Sequence, residues 1–348
     1  MRLEPRARVE AWRLVAAPVG AVVVAFALCA VPLALAGADV LAAYGKIVQG
    51  SLGSGFAIAE TLARATPLML TGLAAALAFR ARLWNIGGEG QLYVGALAAV
   101  ALGSGALDLP APLLLPLVVL AGMAAGALLM LGPAWLKVRL GIDEVVTTLL
   151  LNFVVLLFVG MMLEGPMKDP MSMGWPQSAA MLDAATLPKL VARSRVHAGL
   201  LLALVAGLAV WFLVQRTVWG LEVRAVGANV EAARFAGMPV ERVMLQVGLL
   251  SGALAGLAGV GEVSGLKGYL TQDLSPGYGY AGIVVAMLAG THPLGVLVAA
   301  LFIAAVFVGA DSMSRAIGVS SYIADLIVAT SLLTMLLAGL LARYRIRR

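Results

Sequence analysis

The chain alternates between long apolar runs and short polar joints. Leu14 to Ala38 is almost wholly apolar, and further runs follow at 66–82, 87–105, 112–134, 145–163, 198–215, 243–263, 278–290, 294–311 and 322–342. About twenty apolar residues in helical form cross the ~30 Å hydrocarbon core of a bilayer. Leu, Ala, Val and Gly without strict alternation disfavour a β-barrel. The pattern predicts an all-α polytopic membrane protein of about ten transmembrane helices, with the 278–290 run short and bounded by glycine. Residues 1–13 read as a cytoplasmic N-terminal segment, 14–342 as one transmembrane domain and 343–348 as a cytoplasmic tail. The first run is too long for a signal-peptide core and reads as a retained span.

The polar loop 216–242 breaks this rhythm. Its centre, VEAARFA, predicts a helix of about two turns. Asn229 can cap its start, Glu231 suits the positive end of the helix dipole, and Gly237 followed by Pro239 stops it. Two turns suit a projecting knob better than a core helix.

Composition and charge assign sides to this arrangement. The chain is 62% hydrophobic and 12% charged, where a soluble domain averages about 25% charged. The net charge of +6 has a topological origin. With the N-terminus inside, 16 of the 24 Lys and Arg residues fall on inner segments. The positive-inside rule then places both ends and the 216–242 loop in the cytoplasm. No nucleic-acid partner is needed to explain the charge. The single cysteine, Cys29, reads as small-residue packing.

LTGLAAALA (70–78) is similar to LSGALAGLA (250–258), and each precedes a Gly-rich turn and another apolar run. This predicts two five-span halves, about 14–165 and 198–342, in inverted orientation, a pattern of transporters. Shared Ala/Gly/Leu composition is the other explanation.

Catalytic chemistry is absent from the pattern. There is no G-x-x-x-x-G-K-[ST] and no Ser/His/Asp or metal-ligating constellation; His197 and His292 lie at span ends and read as interfacial. Three polar stretches stand out. In LWNIGGEGQLYVGA (83–96), Asn85, Glu89 and Gln91 accompany a glycine-rich break. Irregular backbone at membrane depth lines a cavity or is buried in protein, so these residues read as a translocation path, or Glu89 is simply solvated near a span end. In GIDEVVTTLLLN (141–152), Asp143 and Glu144 suit a helix start. Thr148 and Asn152 share a face there and either bind a polar solute or join helices. In GEVSGLKGYLTQDLSPGYGYAGI (261–283), Glu262 ends one span and Tyr278 and Tyr280 begin the next. The tyrosines form an interfacial belt or a stacking platform. Asp325 is a further polar group inside the last span.

NIGGEGQLYVGA (85–96), IDEVVTTLLLN (142–152), WGLEVRAVGANVEAARFAGM (219–238) and SPGYGYAGIVVAMLAG (275–290) together resemble, in order, the permease subunits of bacterial ABC importers. The group is that of branched-chain amino acid and simple-sugar permeases, with the nucleoside type most similar. The resemblance covers about residues 60–342. It implies a cytoplasmic ABC ATPase that carries the ATP and Mg, so that no cofactor belongs to this chain. It also implies a second permease subunit, paralogue or copy, and an extracytoplasmic solute-binding lipoprotein. It assigns ATPase coupling to Gly227, Asn229, Glu231, Ala232, Ala233, Arg234 and Gly237. Asp143, where nucleoside-type members carry Asn, and the long 166–197 loop depart from the pattern and leave the solute class open between nucleosides and simple sugars. An ion-coupled secondary transporter is the alternative. It calls for a membrane-centred acid, whereas Glu89, Glu262 and Asp325 all lie toward span ends.

Overall fold

The computed structural model describes residues 2–5, 11–107 and 109–347. Arg6, Arg8 and Arg348 of the charge count lie outside the described residues. The helices are α1 Ala11–Leu35, α2 Val40–Leu52, α3 Gly55–Arg80, α4 Gly88–Gly103, α5 Ala111–Leu140, α6 Glu144–Glu164, α7 Gly199–Arg216, α8 Val218–Ala228, α9 Val230–Phe235, α10 Val240–Val260, α11 Tyr278–Leu288, α12 Pro293–Ile317 and α13 Ser321–Arg343. α10 continues into a π-helical stretch, Gly261–Lys267. Among the described residues, six helices are long and apolar enough to cross a membrane, or seven with the bent pair Val23–Leu35 and Val40–Leu52 counted as one. α4 has 16 residues and α11 has 11. At 1.5 Å per residue they reach about 24 and 17 Å, short of a full crossing. Ten full-length spans are therefore not what the helix lengths provide.

Two strands accompany the helices. β1 Arg2–Pro5 and β2 Tyr344–Arg347 pair antiparallel, with Arg2 opposite Arg347 and Pro5 opposite Tyr344. The sequence pattern predicts helix alone and does not include this ribbon.

The chain forms two compact units. The first comprises Met1–Arg64 and Leu301–Arg348. There α1 packs along α13, and Cys29, Leu33, Ala43, Ile47, Ala310, Met313 and Ile327 form the core. Cys29 thus fills space between helices, as its surroundings predict. Phe26 and Tyr44 stack with ring centroids 4.6 Å apart. Arg64 pairs with Asp311 and lies over the Phe307 ring at 5.9 Å. α3 begins at Gly55, eleven residues before the predicted span at 66, and this pair lies within that added stretch. Glu60 and Arg64 interrupt the apolar run, but helix geometry continues through them. α2 is likewise unanticipated.

The second unit is Ala65–Ala300. α10 runs through it, against α4 and α5. The spanning window of α10 is 78% buried, against 28% for those of α5, α6 and α7. The latter three turn residues such as Leu120, Leu128, Phe153, Leu157 and Val205 outward, as lipid-facing helices do. Small residues let the inner helices meet backbone to backbone. A Cβ on Gly256 would collide with the Gly122 carbonyl, one on Gly95 with Gly256, and one on Gly126 with the Gly252 carbonyl.

The long connection after α6 folds onto the π-helical stretch: the Leu187 N–H donates to the Ser264 carbonyl at 2.8 Å and the Met181 N–H to the Gly268 carbonyl at 2.8 Å. His197, expected at an interface, is instead 1% exposed. Its ring packs against Gly199 and Gly265. Nδ1 accepts from the Gly199 N–H at 3.1 Å, and Nε2 has no partner among the described residues. Burial holds its pKa down at about 4. The unfolded chain titrates near 6.5, so between those values the unfolded state binds the extra proton. Stability is complete above about pH 6.5 and is lost as pH falls toward 4. Thermal unfolding of the purified protein at pH 5 should show a loss of about 2 kcal/mol relative to pH 7.5. His197→Gln should remove that dependence, and an unchanged pH profile in the variant would assign it to other groups.

Candidate functional site

The glycine-rich break between α3 and α4 organises the polar groups of the second unit. α3 ends in a Schellman turn, with the Leu83 N–H donating to the Ala78 carbonyl and the Arg82 N–H to Phe79. Arg82 there adopts φ +55°, the left-handed conformation such a turn requires. The chain then runs irregularly to Gly87, so its amides need partners from outside.

One face of α6 supplies them. Glu144, Thr148 and Asn152 recur every four residues and stand in a row. The Trp84 N–H donates to Glu144 at 3.1 Å, the Ile86 N–H to Thr148 Oγ1 at 3.2 Å and the Gly90 N–H to Asn152 Oδ1 at 2.8 Å. Asn152 Nδ2 donates to the Ile86 carbonyl at 3.0 Å and to the Tyr280 hydroxyl at 3.2 Å. Asp143 caps α6 through the Val145 N–H, as a helix-start carboxylate should. Glu144 does something else. It is 1% exposed, held by Lys137 Nζ at 2.7 Å, and anchors the break.

A second cluster closes the other side. Asn85 Nδ2 donates to Gln91 Oε1 and to Ser251 Oγ, both at 2.9 Å, and Ser251 Oγ donates to the Ala74 carbonyl at 2.8 Å. Asn85 Oδ1 accepts from the Gly87 N–H and from Gln91 Nε2, also at 2.9 Å. The third cluster joins α4 to α11. Glu89 Oε2 accepts from the Gly279 N–H at 2.7 Å, and a Cβ on Gly279 would strike the Glu89 backbone. Ser275 Oγ accepts from the Gly277 and Tyr278 N–H groups at 3.1 and 2.8 Å. The N-terminal turns of α4 and α11 therefore meet, and a carboxylate from one caps the other. Tyr93 OH donates to the Gln272 carbonyl at 2.6 Å and accepts from the Ser275 N–H at 3.1 Å.

The break thus brings together all seven residues singled out for the path. Asn85, Glu89, Gln91, Thr148, Asn152 and Tyr278 are buried, and Tyr280 is 38% exposed. Glu89 is not solvated. Tyr93 and Ser275 lie inside the polar stretches 83–96 and 261–283 without being named there, and Ser251 carries no sequence signal beyond being a polar residue in apolar surroundings.

The residues that the resemblance assigns to ATPase coupling gather in the loop between α7 and α10. Two helices occupy the loop where one is predicted: α8 precedes the short α9. Asn229 caps α9 by accepting from the Ala232 N–H at 3.1 Å, and the Gly237 N–H closes the far end on Arg234 at 3.0 Å with φ +77°. Glu231 and Arg234 form an exposed pair at 3.4 Å, and Ala233 faces inward. Trp219 Nε1 donates to Gln246 Oε1 at 3.0 Å, joining α8 to α10. Phe235, which the sequence motif leaves without a role, is 97% exposed on α9.

Comparison with known proteins defines the class. The model of the branched-chain amino acid transport system / permease component family matches residues 57–341. The chain belongs to this family. It is 40% identical to a glucose ABC transporter permease protein of Haloferax volcanii, over 99% of this chain and 93% of the relative. It is 36% identical to a guanosine ABC transporter permease protein of Bacillus subtilis, over 91% of each. A nucleoside ABC transporter permease protein of Lactococcus lactis is 32% identical over 87% of this chain and 85% of the relative. No solved structure matches the chain.

Proposed function

We propose that the chain is the transmembrane permease subunit of an ATP-driven importer that moves a nucleoside or a simple sugar inward by alternating access. The observation that carries this reading is the family match over residues 57–341, joined to 40% identity with a glucose permease across nearly the whole chain. ATP and Mg belong to a separate cytoplasmic ATPase. A second permease subunit, paralogue or copy, and an extracytoplasmic solute-binding lipoprotein complete the assembly.

In this reading α9 is the plug that enters the ATPase, with Glu231, Arg234 and Phe235 as its contact surface and Asn229 and Gly237 fixing its ends. The translocation path runs past the α3–α4 break. Tyr280 is its solute-facing member, and Asn85, Glu89, Gln91, Thr148, Asn152 and Tyr278 set the shape around it. Two inverted halves are supported by the long-then-short pairs α3–α4 and α10–α11, whose short helices meet at their N-termini.

Reconstitution with the cognate ATPase and lipoprotein tests the reading. Proteoliposomes should accumulate labelled guanosine or glucose only with ATP on the ATPase side. Uptake that needs an ion gradient and ignores loss of the ATPase would establish the ion-coupled alternative instead.

A further inference from the structure

We infer that the segment Arg80–Glu89 is a clamp that grips α11 at both ends and passes displacement of the α8–α9 loop to it, with Arg80 and Glu89 as positioning residues. The inference rests on the permease reading above. At the start of α11 the Gly279 N–H donates to Glu89 Oε2 at 2.7 Å. Just past its end, Arg80 Nε donates to the Thr291 carbonyl at 2.8 Å. The acid sits at the positive pole of the helix and the base at the negative pole, so both contacts agree with the helix dipole. The reach also agrees. Eleven residues of α11 measure about 17 Å, within the span of the nine steps of chain between the two jaws.

Between the jaws, α3 holds the body of α11. Thr71 Oγ1 donates to the Tyr278 carbonyl at 2.9 Å, and Gly282 lies on the Thr71 backbone and side chain closely enough to exclude a Cβ. The input lies at the other side of the same residue. Gly227 of α8 rests on the Arg80 carbonyl with no room for a side chain, two residues before the Asn229 cap of α9. The output is Tyr280, in the first turn of α11 and exposed. A push on α9 therefore reaches Arg80 through backbone contact, and Arg80 and Glu89 carry α11 and Tyr280 with it as one body.

The test uses the complete importer in proteoliposomes, with each readout normalised to assembled complex. Three quantities are measured: ATPase retained by the permease, ATP hydrolysis, and labelled guanosine or glucose accumulated per ATP. Arg80→Met should keep the ATPase bound and hydrolysing. Solute moved per ATP should fall about tenfold, the effect of one lost charge-assisted hydrogen bond. Arg80→Lys, which keeps a cationic donor, should recover much of the ratio. A purely structural role would lower assembly without changing that ratio. Should Arg80→Met fail to assemble, Arg80→Gln carries the same criterion. Wild-type solute per ATP in the neutral variant, or no difference between Lys and Met, overturns the clamp. A wild-type chain that binds no ATPase would instead overturn the permease reading itself.

Discussion

Replacing Phe235 with aspartate is expected to abolish ATP-driven uptake while the permease still inserts at its normal level. A phenyl ring left in water forgoes about 2 kcal/mol of burial, and Phe235 is 97% exposed at the tip of a helix of six residues. Its neighbours Glu231 and Arg234 are exposed and paired with each other, a polar rim around an aromatic centre as in binding hot spots. Truncating such an anchor costs about 2–4 kcal/mol, or roughly 30- to 1,000-fold in affinity. Co-purification of the ATPase with the permease should fall accordingly. Phe235→Leu, which keeps apolar bulk, should lie between the two. Gly237→Pro should have a comparable effect by another route. The residue holds φ +77°, which proline cannot adopt. Normal transport by Phe235→Asp in proteoliposomes would remove α9 from the docking surface.

Gly256→Leu is expected to prevent stable assembly of the second unit. The leucine side chain would have to enter the contact between α10 and the Gly122 backbone. Overpacking a filled core costs about 1–3 kcal/mol when neighbours can adjust, and here the neighbour is main chain. Gly132→Leu is the control, because nothing lies within 4 Å of a Cβ at that position of α5. Size-exclusion profiles and thermal midpoints of the detergent-solubilised variants should separate them sharply, Gly256→Leu aggregating and Gly132→Leu behaving as the parent. Equal behaviour would mean that the glycine contacts do not limit folding.

The contrast between what could and could not be read in advance follows from the range of the interactions. Asn229 and Gly237 mark the ends of α9 because capping acts within a few residues. The apolar runs fall on helices because burial in lipid depends on local composition. The first three turns of α3 were hidden, since Glu60 and Arg64 lower local hydropathy and the Asp311 that pairs with Arg64 lies 247 positions away. α8 was hidden because VWGLEVRAVGA mixes glycine with charge. Thr148 and Asn152 were visible as one helical face, but not the use of that face, because their partners are main-chain amides of the α3–α4 break. Arg80 bonding Thr291 and Glu89 bonding Gly279 span 211 and 190 positions, and no periodicity reports such pairs.

The ribbon of β1 and β2 constrains how the chain threads the bilayer. A ladder of hydrogen bonds between two segments requires both to lie in the same aqueous compartment, because an open two-stranded edge has no place in hydrocarbon. The parity of the chain's crossings is therefore even. Among the described residues the six long apolar helices already meet that parity, and counting the bent pair as a seventh span would require one more crossing from α4, α11 or α13. Reporter fusions to the two ends of the chain should consequently fall on the same side of the membrane, and fusions that report opposite sides would break the ribbon.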